Sequence, residues 1–245
     1  MFKYKKFPIT KCIGNRWLYP PIFDTDYLHR KTLLSVIRRV STTIAQDARV
    51  LDIGCGWMPY RCLFKSEVYE GVDVMAHGDL SITLIGDDRK IPKPDEGFDT
   101  CVSWQVLEHV DNLGLFHAEM RRCLKPGGTL YLTTHGFFRV HADADFWRWT
   151  VPGLKAHFEH FGWSEISVEP VDNAIVSATG FVNALVEKMI LPSYRKKNEK
   201  YRKALFAGFA IISNCIGLML LRLLPDRKIT ALQADSSTLL ISCKK

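Results

Sequence analysis

The run Val50-Leu51-Asp52-Ile53-Gly54-Cys55-Gly56, answered by Gly71-Val72-Asp73-Val74, constrains this chain more than any other stretch. A short apolar segment rich in β-branched residues, closed by a Gly-x-Gly turn, reads as a buried parallel strand whose backbone bends tightly against a bound group. The second apolar run, Val68 to Val74, carries Asp73 near its end, nineteen residues beyond Gly54. A carboxylate at the tip of the neighbouring parallel strand is placed to grip a ribose diol. Together these features describe a nucleoside site.

The 245 residues suffice for one large α/β domain with a full core, so the chain is expected to hold an irregular arm over 1–23 and a single domain over 24–245. At 47% apolar and 24% charged residues, wholesale disorder is excluded. Seven cysteines without a C-x-x-C pair argue against a disulfide framework and a structural zinc site; no metal is expected, and a reducing cytoplasm fits. The lysines that open the chain are not followed by an apolar run, so the N-terminus does not read as a secretory signal.

From Asp24, the positions Leu28, Leu33, Leu34, Ile37 and Val40 form a helical stripe, with Asp24, Thr25 or Asp26 as its cap. Tyr60 to Lys65 begins a short helix. Ile82 to Ile85 is a third strand, ending at Gly86-Asp87-Asp88, and Phe98 to Trp104 a fourth. Glu108 and His109 open a helical stretch whose stripe continues through Leu113, Phe116, Met120 and Leu124, and Lys125-Pro126-Gly127-Gly128 stops it. Thr129 to Thr134 is a fifth strand. Alternating strands and helices predict a doubly wound α/β sheet with ligands gathered at the strands' carboxyl ends.

In order, the Val50–Gly56 run, Asp73, Gly86-Asp87, Phe98-Asp99, Gln105-Val106-Leu107-Glu108-His109-Val110 and Leu124-Lys125-Pro126-Gly127-Gly128 resemble the class I S-adenosylmethionine-dependent methyltransferases, in their small-molecule and quinone-type branch. Pro59 stands where a dinucleotide fingerprint needs its third glycine. The resemblance implies a mostly parallel, seven-stranded Rossmann-like sheet, closing with Ile166 to Glu169 and Thr238 to Ser242 as an antiparallel pair. It implies S-adenosyl-L-methionine as cofactor. Asp52, Gly54, Cys55 and Gly56 would frame its methionine part, Asp73 and Val74 its ribose, and Asp87 and Asp88 its adenine. From their position after the fourth strand, Gln105 and His109 are candidates to line the same edge, and Trp104 either lines it or packs in the core.

His141 and the run Asp145-Phe146-Trp147-Arg148-Trp149-Thr150 are similar to a bacterial subgroup associated with glycan and cell-envelope synthesis. His141, Asp145 and Arg148 are therefore the substrate candidates, with Asp145 and Arg148 spaced to share one helical face. Methyl transfer from a sulfonium needs a base only where the nucleophile must lose a proton. His141 is the first candidate for that base and His135 the second. The expected acceptor is a glycan or lipid-linked cell-envelope intermediate, methylated on oxygen. A quinone-like lipid or another small metabolite is the alternative, and a non-catalytic cofactor-binding scaffold is the rival from another class.

A helical insertion is expected over 171–236. Phe181 to Leu191 reads as an amphipathic helix; Arg195, Lys196, Lys197, Lys200, Arg202 and Lys203 form a basic block; Ala204 to Leu224 is apolar. The last stretch has the length of a membrane span, but a chain that must return to its own sheet cannot cross once. A basic block beside an apolar helix favours contact of 195–224 with an anionic membrane, which would put the protein peripherally at the inner face. Pairing in a homodimer or burial on the sheet edge are the alternatives. The net charge of +7 does not indicate nucleic acid, because the basic residues lack interleaved stacking aromatics.

Overall fold

The computed structural model describes residues 15–76, 82–191, 199–224 and 232–245. Residues 1–14 of the N-terminal arm, 77–81 ahead of the third apolar run, 192–198 with Arg195 to Lys197 of the basic block, and 225–231 of the insertion lie outside the described residues.

Seven strands, β1 (Arg49–Ile53), β2 (Val68–Asp73), β3 (Thr83–Leu84), β4 (Phe98–Trp104), β5 (Leu124–His135), β6 (Ser164–Pro170) and β7 (Thr238–Lys244), form one sheet in the order β3-β2-β1-β4-β5-β7-β6. β7 is antiparallel to both of its neighbours, and the other pairings are parallel. This is the expected doubly wound, mostly parallel, Rossmann-like sheet. The third strand is only two residues long, where the apolar run predicted four.

Both faces of the sheet are covered, which explains the unbroken apolar runs of β1 and β4. Val50, Val102 and Leu240 point to a core with Leu33 and Ile37 of α1 (Tyr27–Thr43). Leu51, Cys101 and Ile241 point to the opposite core, which holds Met120 of α2 (Leu113–Cys123) and Phe158 of α3 (Val151–His160). Asp26 occupies the N-cap position of α1 but does not cap it, because its carboxylate takes a bidentate pair of 2.7 Å bonds from Arg139.

Two expected boundaries move. Lys125 to Gly128 is carried within β5: Phe98 pairs with Leu124 but Thr100 with Thr129, so these four residues are extruded from the ladder. Gly127, at φ +73°, turns the extrusion, and Lys125 Nζ reaches Asp99 Oδ1 at 2.5 Å. The helix expected from Phe181 starts earlier, as α4 (Ala174–Ile190), capped by Asn173 Oδ1 accepting from Ile175 N at 3.0 Å. Its first two turns are mostly small residues, too weakly periodic to read as a stripe. The apolar stretch is α5 (Glu199–Leu223). It packs on α1 and α4 rather than on the sheet edge, and both helices lie between β6 and β7 as the predicted insertion.

The α2–α3 side carries one acid-sensitive contact. His117 is fully buried and stacks on Phe161 at 4.4 Å; its Nδ1 accepts from Trp163 Nε1 at 2.9 Å and its Nε2 faces His157 Nε2 at 3.0 Å. Burial, reinforced by His157 and Arg121, pulls its pKa down to about 3. The ring is neutral when folded but titrates near 6.5 when unfolded. Its contribution is whole above that pH and is lost on acidification toward 3, at about 1.4 kcal/mol per pH unit for one proton. Urea unfolding between about pH 7.5 and 5 should therefore show a pH slope shallower by up to one proton in His117→Asn than in the unmutated chain. Parallel dependences would refute this origin.

Candidate functional site

The site grows from the carboxyl ends of β1, β2, β4 and β5. After Ile53 the amides of Gly54 and Cys55 both donate to Val72 O, at 2.9 and 3.1 Å, folding the turn back over β2. Gly54 holds φ +70°, and a Cβ there would lie 2.5 Å from Val106 Cγ2, so β1 and the residues after β4 can meet only at a glycine. Gly56, at φ +50°, has open space where its Cβ would be. Its amide donates to Asp73 Oδ2 at 2.8 Å, and Met75 N donates to Asp73 Oδ1 at 3.0 Å. Asp73 thus ties the glycine turn to the tip of β2.

Asp52 lies beneath this turn, fully buried. Tyr69 Oη donates to its Oδ2 at 2.7 Å, while Oδ1 has no partner. Burial, with the Asp73 charge adding, raises its pKa to about 7 against the Tyr69 hydrogen bond. Burial and the same two carboxylates keep the Cys55 thiol protonated. Val74, Asp87 and Asp88 are exposed on the rim beyond β2 and β3, and Asp88 Oδ1 accepts from Lys90 N at 3.2 Å.

At the end of β4, Trp104 takes the core alternative, packing beside Phe64 on the α1 side, with Nε1 unpartnered. Gln105 adopts φ +57°, a conformation that costs a non-glycine residue free energy and is held here by its amide bonding Thr133 O at 3.0 Å. Both of its side-chain amide atoms are buried without partners. Among the described residues, seven buried side-chain polar atoms lack a hydrogen bond, and five belong to Asp52, Trp104, Gln105 and Glu108 at these strand ends. Such a concentration fits a site whose polar partners come with a ligand. Open space at Gly56, a buried carboxylate and the Asp73 tip suit a nucleoside carrying a cationic methionine moiety.

The second half of the site is the loop 136–150, strapped over β4 and β5. Phe146 N donates to Glu108 O at 2.8 Å, Trp147 Nε1 to Val110 O at 2.7 Å, and Trp149 N to His135 O at 3.1 Å. Asp145 and Arg148 are paired as the spacing suggested, but in extended loop rather than on a helix. Arg148 Nη2 bonds Asp145 Oδ2 at 2.7 Å and Arg139 O at 2.8 Å, and its Nε bonds Phe138 O at 2.9 Å. Arg148 holds the Asp145 carboxyl far below the usual range. Asp145 Oδ2 in turn takes His141 Nδ1 at 2.9 Å, which leaves the lone pair to the other ring nitrogen of His141.

His135 is brought to the same place. Its ring stacks on Phe138 at 4.1 Å and meets the His141 ring edge-on at 5.0 Å. Burial, with His29, His141 and Arg148 nearby, lowers its pKa well below 6.5, so the ring is neutral. Nδ1 lies 3.4 Å from the Ser237 carbonyl, which can only accept, so Nε2 carries the lone pair, 3.3 Å from Glu108 Oε1. His109 turns toward this loop, with Nδ1 on Ala144 O and its ring 5.1 Å from that of His141, rather than toward the glycine turn.

The sequence reading missed Glu108. It lies in a 3-10 turn, Leu107–His109, ahead of α2, which Asn112 caps. Its carboxyl is wholly buried rather than lying at a helix start; Oε2 accepts from Thr134 Oγ1 at 2.9 Å, and burial raises its pKa. The reading also missed Asp172, which accepts from Ser236 Oγ and Ser237 N at 2.7 and 2.6 Å and sits 3.7 Å from His29. No spacing links those positions in sequence; β7 brings them together.

Residues 26–169, more than half of the chain, match the family model described as a methyltransferase domain. A fatty-acid O-methyltransferase of Mycolicibacterium smegmatis is 24% identical over 127 residues, and the match spans 46% of this chain and only 46% of that relative's length. Among solved structures, a phosphoethanolamine N-methyltransferase 2 of Haemonchus contortus in complex with S-adenosyl-L-methionine superposes with TM-score 0.52 at 15% identity, covering 99% of this chain and 58% of that one. A S-adenosylmethionine-dependent methyltransferase of Archaeoglobus fulgidus does so with TM-score 0.52 at 15% identity, over 86% and 94%. The [4+2]-cyclase SpnF has the same fold at TM-score 0.56 and 18% identity, over 89% and 82%, so the fold alone does not fix the reaction.

Proposed function

Because this chain belongs to the methyltransferase domain family, with S-adenosylmethionine as its cofactor, we propose that it transfers the methyl group to an oxygen of a lipid-borne acceptor presented at a membrane surface. The observation that carries this reading is the outer face of α5. The helix buries one stripe, Phe206, Ala210, Asn214 and Gly217, against α1 and α4. Gly217 permits the close approach, since a Cβ there would meet Leu28 Cδ1 at 2.6 Å. Asn214 anchors the stripe by donating to Ile22 O at 2.7 Å and accepting from Asn183 Nδ2 at 3.2 Å. The opposite face leaves Ile212 62%, Met219 51% and Leu223 70% exposed.

An apolar face of that extent is unfavourable in water and marks a contact surface. Lys200, Arg202 and Lys203 at the start of α5 add attraction to anionic lipid. Because α5 is docked along α1 and α4, and β7 returns between β5 and β6, a helix lying in the interface is favoured over a span. Phe137, in the loop over the site, packs 5.2 Å from Phe181 of α4, and both rings are exposed, adding apolar surface beside the site. The name of the fatty-acid O-methyltransferase relative supports a lipid acceptor. A lipid-linked glycan meets the same description.

The cofactor supplies a methyl group on a sulfonium, open to displacement by an oxygen. Asp73 would hold the ribose hydroxyls, and the Gly54–Gly56 turn with Asp52, whose Oδ1 has no partner, would frame the methionine part. The loop 136–150 excludes water and positions the acceptor, which supplies much of the rate in a displacement of this kind. Where the acceptor is a hydroxyl, His141 takes its proton on the nitrogen opposite Asp145. His141→Ala should then lose 100-fold or more of turnover on a hydroxyl acceptor, with cofactor affinity unchanged; full turnover would remove His141 from this role.

The membrane part is tested by flotation with anionic vesicles. The full chain should float, and an Ile212→Glu/Leu223→Glu variant should lose at least tenfold in vesicle affinity while remaining folded. A chain that stays with the aqueous fraction as a stable dimer would instead assign this face to a second copy.

A further inference from the structure

We propose that Glu108, His135 and His141 form a binding site for one divalent cation of the zinc type, between the cofactor edge and the loop 136–150. One ligand atom from each of the three side chains lies within 4.8 Å of the other two. Glu108 Oε1 and His135 Nε2 are 3.3 Å apart, which is about the separation of two ligands that sit roughly 2.0–2.2 Å from a shared tetrahedral ion. Glu108 is wholly buried, and its Oε1 is aimed into the gap without a hydrogen bond.

The outer contacts of all three residues point the same way. His141 Nδ1 is held by Asp145 Oδ2, itself fixed by Arg148; His135 Nδ1 lies against the Ser237 carbonyl; Glu108 Oε2 is satisfied by Thr134 Oγ1. Each residue is thus held by one atom and keeps another available for an ion shared among the three. That is the second-sphere arrangement metal-binding histidines need. Two imidazoles and one carboxylate select zinc-type ions over magnesium or calcium, which prefer all-oxygen sites. His141 is the part-exposed member, so an ion can enter from its side. Cation loading and proton uptake at His141 use the same lone pair and exclude each other. The site does not depend on the acceptor being a lipid.

Binding is read directly, without turnover. The full chain, stripped with chelator and titrated with Zn2+ by calorimetry, should take up one equivalent that also raises its Tm. His141→Ala, a change at a part-exposed ring, should weaken this binding at least 100-fold, and Asp145→Asn by about 10–100-fold through the lost orientation. Cobalt(II) bound to the unmutated chain should show ligand-field bands without a thiolate charge-transfer band. Equal Zn2+ affinity in the chain and in His141→Ala would overturn the proposal. A thiolate band would do so too, since it would assign the ion to cysteines.

Discussion

Asp73→Ala should bind S-adenosylmethionine at least 100-fold more weakly than the unmutated chain. Each hydrogen bond from a ribose hydroxyl to a charged carboxylate contributes about 1.5–3 kcal/mol, and the diol makes two, so the loss is twofold in kind and multiplicative in affinity. The carboxylate also holds Gly56 N and Met75 N, so its removal loosens the turn as well. Comparison with Asp73→Asn separates these causes, because the amide keeps one acceptor for the turn but cannot accept from both hydroxyls and both amides. Equilibrium dialysis with labelled cofactor reads the affinities. An unchanged affinity in Asp73→Ala would show that the ribose lies elsewhere.

The second large effect is expected at Gly54. Alanine there must hold φ +70° and would set its Cβ 2.5 Å from Val106 Cγ2. The left-handed backbone costs about 1–2 kcal/mol and the overpacking about 1–3 kcal/mol, which together lower Tm by roughly 5–15 °C in a chain of this size. Pairing the change with Val106→Ala relieves the steric part only. The double variant should recover about half of the lost stability and little of the cofactor binding, because the turn geometry stays distorted. Full recovery of both would mean that the backbone conformation at Gly54 is immaterial and only its volume counts.

The fold was legible where burial on both faces left an unbroken apolar run. Val50 to Ile53 and Phe98 to Trp104 read as strands because neither face meets water. The site's cofactor edge was legible for a related reason: its glycines and acids follow strand ends in fixed order. The convergence of Glu108, His135 and His141 was not. Glu108 beside a helix-forming stretch looks like a dipole complement, and only the left-handed turn at Gln105 swings it under β5. Trp104 shows the same limit, since β4 sends its ring into the α1-side core.

The insertion lies where expected; the early start of α4 is hidden by its small first turns, and the outer face of α5 is hidden for a different reason. Sequence patterning assumes that the apolar side of a helix faces inward. α5 inverts this, burying Ala210, Asn214 and Gly217 and turning Ile212 and Leu223 outward. The hydrogen bonds of Asn214 to Ile22 O and Asp24 O, made to the segment ahead of α1, are what orient it. No window of the sequence contains both ends of those contacts.

Methyl transfer from S-adenosylmethionine to an acceptor carried by lipid is tested most directly by incubation of the full chain with methyl-labelled cofactor and cell lysate separated into lipid and aqueous fractions, followed by mass analysis of what gains a methyl group. The label should enter an organic-extractable compound from the lipid fraction, in the unmutated chain and not in Asp73→Ala. Label confined to water-soluble products, or tight cofactor binding with no transfer to either fraction, would contradict it.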